Sequence, residues 1–553
     1  MSVLAAPSAP ADALPIPARG LPALLRKLLV PSYADWFFVA LLIWLFLAGP
    51  HGWNSLLADG DIGWHIRTGQ YILDTHSVPH TDLFSFSRAG QPWFAWEWLS
   101  DIVFALLYGA AGLKGVVLFA GVLIAAFGAV LVRYMIWRGA SGLLAAVVAL
   151  VAVGASSIHF LARPHLFTLL FLTCAVWLLD ADRKRPSRAV WLLLPLTLLW
   201  TNLHGGFAVL FVVLGIFAMG AACERAWSRA GHYVLLAVGC ASATLINPYG
   251  IGLHRHLAEY LRSDWIRGVV QEFQAPTFRS ENQLQFECLL LAGLLAAGVC
   301  LRRRLITDAL LVIVFAHLAL TSARHIPLFA IVAAPVIAME ATLLWEALVE
   351  KSRPRSVLRI LGSVAEGMSA NFRRWSLFVP LAVLAVACIP GIATWPVDFP
   401  AQMFPVRVVR THAREIEHAR VLTTDQWADY LLFRFWPGTK VFVDGRTDFY
   451  GPRQGGEYID LWHGQGRWRE LLNRYRFDTV LIPPDWPLCA LLRQDLAWRE
   501  RFADKQVVLF TRAVQDAPAE KADGTPGVGE AAVSVDLGER SGAAVLRNRR
   551  SRP

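Results

Sequence analysis

The sequence predicts a mainly α fold: a polytopic transmembrane helical bundle followed by a small extracytoplasmic α/β domain. Of the 553 residues, 56% are hydrophobic and 17% are charged, and the mean hydropathy is +0.45. Soluble globular domains carry about 25% charged residues. Many apolar segments approach the roughly 20 residues that are needed to cross about 30 Å of hydrocarbon. After residue 396 the pattern changes to short β-type runs that alternate with helical stretches. This composition excludes a soluble enzyme.

The apolar segments predict about 11 to 13 spans, connected by mostly short loops. They lie at residues 34–50, 97–111, 113–132, 140–158, 165–181, 188–203, 206–223, 231–247, 285–300, 305–320, 326–349 and 375–395. Two long polar connections, residues 51–96 and 248–284, interrupt this transmembrane domain of residues 34–395. Residues 514–553 lack hydrophobic periodicity, and we expect them to form a disordered tail.

Basic clusters predict the orientation of the bundle. In its second half they recur after every second span, which is typical of cytoplasmic loops. They are Arg183 to Arg188, Arg225 with Arg229, Arg302 to Arg304, and Lys351 to Arg374. Loops 51–96 and 248–284 and residues 396–513 are therefore expected outside, with residues 1–33 in the cytoplasm. A cytoplasmic position of Arg133 and Arg138 agrees with this orientation only if one apolar segment between residues 97 and 132 is interfacial or re-entrant. Otherwise these two residues are an exception to the positive-inside rule.

Residues 396–513 predict an α/β domain. Candidate strands lie at residues 420–423, 440–444, 479–482 and 506–511, and candidate helices at 426–435, 466–475 and 487–500. The chain has no Walker loop, dinucleotide fingerprint, zincin helix or nucleophile elbow, which excludes ATP-driven transport by this chain alone. Its basic residues are scattered in short clusters, so we expect the lipid bilayer as a partner and no nucleic acid.

The first outer loop opens with the carboxylates Asp59 and Asp61 directly above the membrane. Burial next to lipid raises the pKa of a carboxyl group and nearby cations lower it, so such a residue is a candidate general base. The alternative is that Asp59 caps a helix beginning near Gly63 and that Asp61 only supports it.

Cationic side chains stand at the outer ends of several spans and are candidates for binding a donor phosphate. Snorkelling is the ordinary explanation for one such residue. Cations on the outer face run against the positive-inside bias, and several of them together suit a phosphate or pyrophosphate. These residues are Arg163, His165, His204, Arg324 and His325.

Further polar residues in the outer loops are candidates for binding a substrate: His65, Arg67, Asp82, Glu97 and Glu272. In the C-terminal domain, Asp444 and Arg446 follow a candidate strand. They predict either a turn with an internal ion pair or a recognition site for a ligand or acceptor.

The chain resembles the GT-C superfamily of membrane glycosyltransferases, which includes protein O-mannosyltransferases, lipid A aminoarabinose transferases and Rgt-type lipopolysaccharide transferases. The resemblance is architectural and covers roughly residues 34–395. One run of residues in the first outer loop is similar to that of uncharacterised bacterial members. It comprises Asp59, Asp61, Gly63, Trp64, His65, Gly69, Pro79, Asp82, Ser85, Trp93, Glu97, Trp98 and Leu99.

The resemblance implies an acidic residue of the first outer loop as catalytic base and a polyprenyl-phosphate sugar as donor. Asp61 is the first candidate for the base and Asp59 the second. The order Asp, Gly, Asp replaces the tandem acidic pair of the O-mannosyltransferases, so the resemblance leaves the choice open. A metal bridging Asp59 and Asp61 is a further alternative.

The leading hypothesis is an inverting glycosyl transfer to an envelope glycan, glycolipid or protein, at the periplasmic face of a bacterial inner membrane. Three alternatives remain at this stage. One is an enzyme like an O-antigen ligase or polymerase, one is a transporter of lipid-linked saccharide, and one is a non-catalytic membrane scaffold.

Overall fold

A computed structural model describes residues 30–48, 52–279, 281–353, 355–362, 378–389 and 394–513. Most of the predicted N-terminal segment 1–33, and all of the predicted tail 514–553, lie outside these residues. The predicted fold class is confirmed, because the chain is mostly helical with one small sheet in its C-terminal region. The domain boundaries given above stay predictions.

The first half of the described chain contains eight α-helices. They are α1 (Tyr33–Ile43), α2 (Ile62–Thr75), α3 (Trp98–Arg138), α4 (Gly142–Ser156), α5 (His165–Lys184), α6 (Leu193–Leu203), α7 (Val209–Cys223) and α8 (Trp227–Thr244). The second half begins with α9 (Ile251–Arg262), α10 (Asp264–Val269), α11 (Glu281–Arg302), α12 (Ile306–Thr321), α13 (Ile326–Lys351) and α14 (Phe378–Cys388).

Within the described residues, six helical segments are long and apolar enough to cross a membrane, which makes this a multi-pass membrane protein. They are Trp98–Arg138, Gly142–His159, His165–Lys184, Gly205–Cys223, Gln283–Arg302 and Ala323–Lys351. Shorter apolar helices occupy Tyr33–Leu47, Arg188–Leu203, Ile306–Thr321 and Phe378–Cys388. The total number of spans stays a prediction.

The predicted spans 97–111 and 113–132 both lie within α3, which has 41 residues. Its backbone is not helical at Ala111 and Gly112, and Gly112 has a φ of 61°, which glycine tolerates. The ring centres of Phe104 and Phe119 are only 6.4 Å apart, whereas the same separation along a straight helix would span about 22 Å. α3 therefore consists of two helices that fold back on each other at a tight turn, between the two predicted spans.

The C-terminal region, residues 394–513, contains a four-stranded sheet in the order β1-β2-β4-β3. The strands are β1 (Val421–Thr423), β2 (Thr479–Ile482), β3 (Trp498–Ala503) and β4 (Val508–Arg512). β1 and β2 are parallel, and β4 runs antiparallel to both β2 and β3. The helices are α15 (Val406–Thr411), α16 (Ala413–Ile416), α17 (Asp425–Phe435), α18 (Thr447–His463), α19 (Trp468–Arg474) and α20 (Pro487–Gln494).

Two predictions in this region are wrong. Residues 440–444 do not form a strand, because Val441 makes only isolated bridges to Ser85 and Val421. The predicted helix 487–500 ends at Gln494, where the side chain of Asp495 accepts a hydrogen bond from Ala497 N–H at 3.0 Å and starts a turn into β3.

The C-terminal region packs directly on the first outer loop. Val441 exchanges backbone hydrogen bonds with that loop, through its carbonyl to Phe86 at 3.0 Å and through its N–H to Phe84 at 2.9 Å. Gly60 N–H donates to Gln426 Oε1 at 2.7 Å. The loop therefore lies between the ends of the transmembrane helices and the sheet domain, and its carboxylates face both.

Candidate functional site

A cavity of about 400 Å³ lies where the first outer loop, the ends of several transmembrane helices and the turn after Val443 meet. It brings together seven of the residues predicted from the sequence: Asp61, Glu97, Arg163, His165, His204, Arg324 and His325. A more open depression of about 910 Å³ is lined by basic loop residues such as Arg188 and Arg229, and by none of the predicted site residues.

The two carboxylates of the first outer loop share one guanidinium. Arg163 Nη1 lies 2.8 Å from Asp59 Oδ2, and Arg163 Nη2 lies 2.5 Å from Asp61 Oδ2. Asp61 occupies the N-cap position of α2, but its side chain makes no capping hydrogen bond. Asp59 Oδ1 instead accepts the backbone N–H of Asp61 at 2.9 Å. Asp59 therefore shapes the turn, and the Asp61 carboxylate remains available to the cavity.

Asp61 is almost completely buried, and burial raises the pKa of its carboxyl to about 7 against the opposing effect of Arg163. A second carboxyl, that of Asp429 on α17, lies against it and hydrogen-bonds to it. Burial and the neighbouring Asp61 hold the pKa of Asp429 well above its ordinary value. Two buried carboxyls this close do not both ionise, so Asp429 keeps its proton and donates it in the hydrogen bond to Asp61.

The close approach of these carboxyls depends on Gly445. A Cβ atom placed there would lie 2.0 Å from Asp61 Oδ1 and 2.8 Å from Asp429 Oδ2. Gly445 N–H also donates to Asp429 Oδ1 at 3.2 Å. Any larger residue at this position would push one of the two carboxyls away.

His204 lines the cavity as a neutral imidazole. Burial, followed by the charges of Arg324 and Arg163, lowers its pKa to about 3. Its Nδ1 accepts the backbone N–H of Gly206 at 3.0 Å, so the proton is on Nε2, which lies 3.5 Å from Glu97 Oε1. His204 therefore offers an N–H donor to a ligand rather than a positive charge.

Glu97 lies between two histidines, with His65 Nε2 at 3.7 Å and His204 Nε2 at 3.5 Å. Burial raises the pKa of its carboxyl to about 8, in spite of the charge of Arg163. At neutral pH Glu97 is therefore largely protonated and presents an O–H donor to the cavity.

Arg324 is the cation of this site without a carboxylate partner among the described residues. Its Nη1 donates to the hydroxyl of Tyr260 at 3.2 Å, and its guanidinium lies 4.4 Å from the ring centre of Phe273. Leu257, Leu318 and Leu328 line the same cavity. An unpaired guanidinium beside apolar helix ends suits an anionic head group with a hydrocarbon chain.

The remaining predicted residues do not line the cavity. His65 is buried behind it, with Nδ1 2.6 Å from Asp101 Oδ1. Arg67 donates to the backbone carbonyl of Phe433, and Asp82 accepts from Arg446 at 2.8 Å. Glu272 lies 3.7 Å from Arg163; burial raises the pKa of its carboxyl, but His159, Arg163 and other surrounding groups bring it down to about 2. Their predicted substrate contacts stay predictions.

The sequence analysis missed several residues of the cavity wall, chiefly Trp64, Trp93, Gly445 and Asp448. It singled out the Asp444–Arg446 turn, which has the internal ion pair at 2.6 Å and also places Arg446 on the cavity. Nothing in the sequence marked Asp429 as a site residue, because a single Asp in an amphipathic helix is usually a solvent-exposed residue of that helix.

Asp59 and Asp61 do not fit a metal site in this arrangement. The guanidinium of Arg163 lies between their carboxylates, at the place that a bridging cation would take. Among the described residues there is also no group of three His, Cys, Asp or Glu side chains arranged to hold a metal ion.

The architecture is that of a multi-pass membrane protein whose buried site is shared between a loop and the C-terminal region. No protein-family model and no curated protein matches the sequence. Among solved structures, the apo oligosaccharyltransferase of Archaeoglobus fulgidus is similar with a TM-score of 0.51 and 11% identity, over 88% of this chain and 75% of that one. ArnT from Cupriavidus metallidurans bound to undecaprenyl phosphate gives a TM-score of 0.39 and 14% identity, over 88% of this chain and 99% of that one.

The chain therefore shares its fold with this oligosaccharyltransferase, which is a GT-C membrane glycosyltransferase. The architectural resemblance inferred from the sequence is confirmed at the level of the fold.

Proposed function

We propose that this protein is a membrane glycosyltransferase that moves a sugar from a polyprenyl-phosphate donor to an acceptor at the periplasmic face of a bacterial inner membrane. The observation that carries this proposal is the placement of Asp61, a buried carboxylate with a pKa near 7, in one cavity with the unpaired cation Arg324. The GT-C fold supports the reaction class. The acceptor is an envelope glycan, a glycolipid or a protein.

In the proposed reaction, Asp61 takes the proton of an acceptor hydroxyl while the hydroxyl oxygen attacks the anomeric carbon of the sugar. The bond between that carbon and the phosphate oxygen breaks, and the electron pair leaves with the polyprenyl phosphate. Attack from the side opposite the leaving group inverts the anomeric configuration. General-base assistance of this kind is worth about 10² to 10⁴ in rate.

The donor phosphate would be held by Arg324 and Arg163, with neutral His204 as an additional N–H donor. Positive charge at the phosphate stabilises the developing negative charge of the leaving group. Arg163 is paired with Asp59 and Asp61, so phosphate binding would compete for its guanidinium. Once Arg163 turns to the phosphate, Asp61 loses its counter-charge and becomes the stronger base that the reaction needs.

The experiment is complementation of a deletion strain with Asp61→Asn, together with mass spectrometry of envelope glycans and glycolipids. Asp74→Asn is the matched control, since Asp74 is exposed on the same helix, α2. We expect Asp61→Asn to accumulate normally in the membrane and to reproduce the glycan defect of the deletion, and Asp74→Asn to restore the wild-type profile. Full restoration by Asp61→Asn would remove the proposed base and favour a transporter or a scaffold.

The donor site has a separate test, binding of undecaprenyl phosphate to the purified full-length protein. Arg324→Gln is expected to weaken this binding about tenfold or more, because a charge-assisted contact to phosphate is lost. Arg267→Gln is the control, since Arg267 is exposed in loop 248–284 and pairs with the exposed Asp264. Equal affinities of both variants would refute the assignment of Arg324.

A further inference from the structure

Two hydrogen-bond donors in the wall of the cavity are buried without a partner among the described residues. They are Trp64 Nε1 and Arg446 Nη1. Trp64 is 6% exposed and Arg446 is 4% exposed, and both line the cavity. Buried polar groups in folded proteins almost always have a partner, so two such donors on one cavity point to a ligand.

The two donors belong to residues that neighbour Asp61. Trp64 follows Asp61 by three residues, in the first turn of α2. Arg446 follows Gly445, where a Cβ atom would lie 2.0 Å from Asp61 Oδ1. The Arg446 guanidinium lies 4.6 Å from the ring centre of Trp93, and the ring centres of Trp93 and Trp64 are 6.2 Å apart. The two donors therefore belong to the part of the cavity wall that carries the proposed base.

The guanidinium of Arg446 is fixed by two carboxylates. Its Nε donates to Asp444 Oδ1 at 2.8 Å, and its Nη2 donates to Asp444 Oδ2 at 2.6 Å and to Asp82 Oδ1 at 2.8 Å. The planar guanidinium is thus held rigidly, and Nη1 is the nitrogen that has no partner among the described residues. One positive charge against two negative ones leaves this group net negative, so Nη1 suits a neutral oxygen rather than an anion.

We propose that Arg446 Nη1 and Trp64 Nε1 donate hydrogen bonds to hydroxyl oxygens of the donor sugar, and that this subsite selects a neutral sugar. The inference rests on the proposed function and adds the class of the transferred group. In the proposed attack the acceptor oxygen lies between Asp61 and the anomeric carbon, so the donor sugar lies close to the side chains that neighbour Asp61. A uronic acid is disfavoured there, because its carboxylate would meet the acidic groups around Arg446.

The test compares dissociation constants of the purified full-length protein for undecaprenyl phosphate and for the same lipid carrying glucose, mannose, galactose or glucuronic acid. We expect at least one neutral sugar to strengthen binding relative to undecaprenyl phosphate, and glucuronic acid to give no gain. Trp64→Phe keeps the apolar ring and removes the N–H, so it should reduce that gain roughly two- to tenfold. Its affinity for undecaprenyl phosphate should not change.

Arg446→Lys is the second variant, and it should abolish the gain if it folds. Trp468→Phe is the control, since Trp468 is buried in the C-terminal region away from the cavity. Three outcomes would overturn the inference while the proposed function stands. They are that no neutral sugar strengthens binding relative to undecaprenyl phosphate, that the lipid carrying glucuronic acid binds more tightly, or that Trp64→Phe keeps the full gain in affinity from a neutral sugar. Failure of the wild type to bind undecaprenyl phosphate would overturn both.

Discussion

Asp61 and Asp429 form a buried pair in which one proton is shared between two chain segments. This arrangement sets the pH dependence of the proposed reaction. Because burial raises the pKa of Asp61 to about 7, the base is mostly protonated below that pH. Transfer should therefore fall about tenfold for each pH unit below the pKa and level off above it.

Substitution of Asp429 should shift the pH dependence of the transfer rate, although Asp429 does not contact the substrate in the proposed reaction. In Asp429→Ala the hydrogen bond that favours ionised Asp61 is lost, so the pKa of Asp61 rises and the acid limb shifts to higher pH. Asp429→Asn keeps an N–H donor and should leave the limb nearly in place. The measurement is transfer in isolated membranes between pH 5 and 9, with the donor that the glycan profile identifies. Identical profiles for the two variants would show that Asp429 has only a structural role.

Activity should require glycine at position 445, because there is no room for a side chain there. Gly445→Ala places a methyl group where Asp61 Oδ1 now lies, so we expect loss of complementation with normal accumulation in the membrane. Gly456→Ala is the matched control, since a Cβ at Gly456 meets nothing within 4 Å. Normal activity of Gly445→Ala would mean that the contact between the C-terminal turn and Asp61 is not needed.

Among the helices, α3 depends on one residue for the turn between its two halves. Gly112 has a φ of 61° in a backbone region that costs a residue with a side chain about 1 to 3 kcal/mol. Gly112→Ala should therefore lower the thermal unfolding temperature of the detergent-solubilised protein. Gly109→Ala, also open but helical, should have no effect or stabilise by up to about 1 kcal/mol. The opposite order would contradict the observed turn.

The ends of α3, α5 and α12 are joined by a partly buried network of ion pairs. Asp308 lies 2.9 Å from Arg138 and 3.0 Å from Arg183, and Asp180 lies 3.0 Å from Arg138. Removing one member leaves a buried charge uncompensated, so Asp308→Asn should cost about 3 to 5 kcal/mol. Asp264→Asn breaks an exposed pair and should cost about 0 to 1 kcal/mol. Denaturant titration in mixed micelles compares the two, and equal small losses would show that the network adds little.

At the scale of the whole molecule, the orientation inferred from basic clusters is open to a direct test. Ser77 lies in the first outer loop and Ser228 in a predicted cytoplasmic loop, and both are exposed. In a chain whose seven cysteines are replaced, Ser77→Cys should react with a membrane-impermeant thiol reagent in intact spheroplasts. Ser228→Cys should react only after lysis. The reverse pattern would place the site on the cytoplasmic face.

The sequence predicted the parts of this molecule that depend on local pattern. Apolar segments identified the helices, and charges at helix ends identified Asp61, Arg163, His204 and Arg324, which the fold brings to one cavity. Asp429 was beyond such reasoning, because its role depends on the packing of a distant helix against the first loop. The helix α18 was missed since Gly451, Pro452, Gly455 and Gly456 resemble a turn.

The division of the acidic pair between residue 61 and residue 429 has a consequence for inheritance. Gln426, Asp429 and Gly445 contact the backbone of Gly60 and the carboxylate of Asp61, in a loop near the other end of the chain. Substitutions in one of these segments are therefore expected to require compensating substitutions in the other. Chimeras between related chains that exchange the C-terminal domain alone should accumulate in the membrane yet lack activity. Exchanging the first loop together with that domain should restore it.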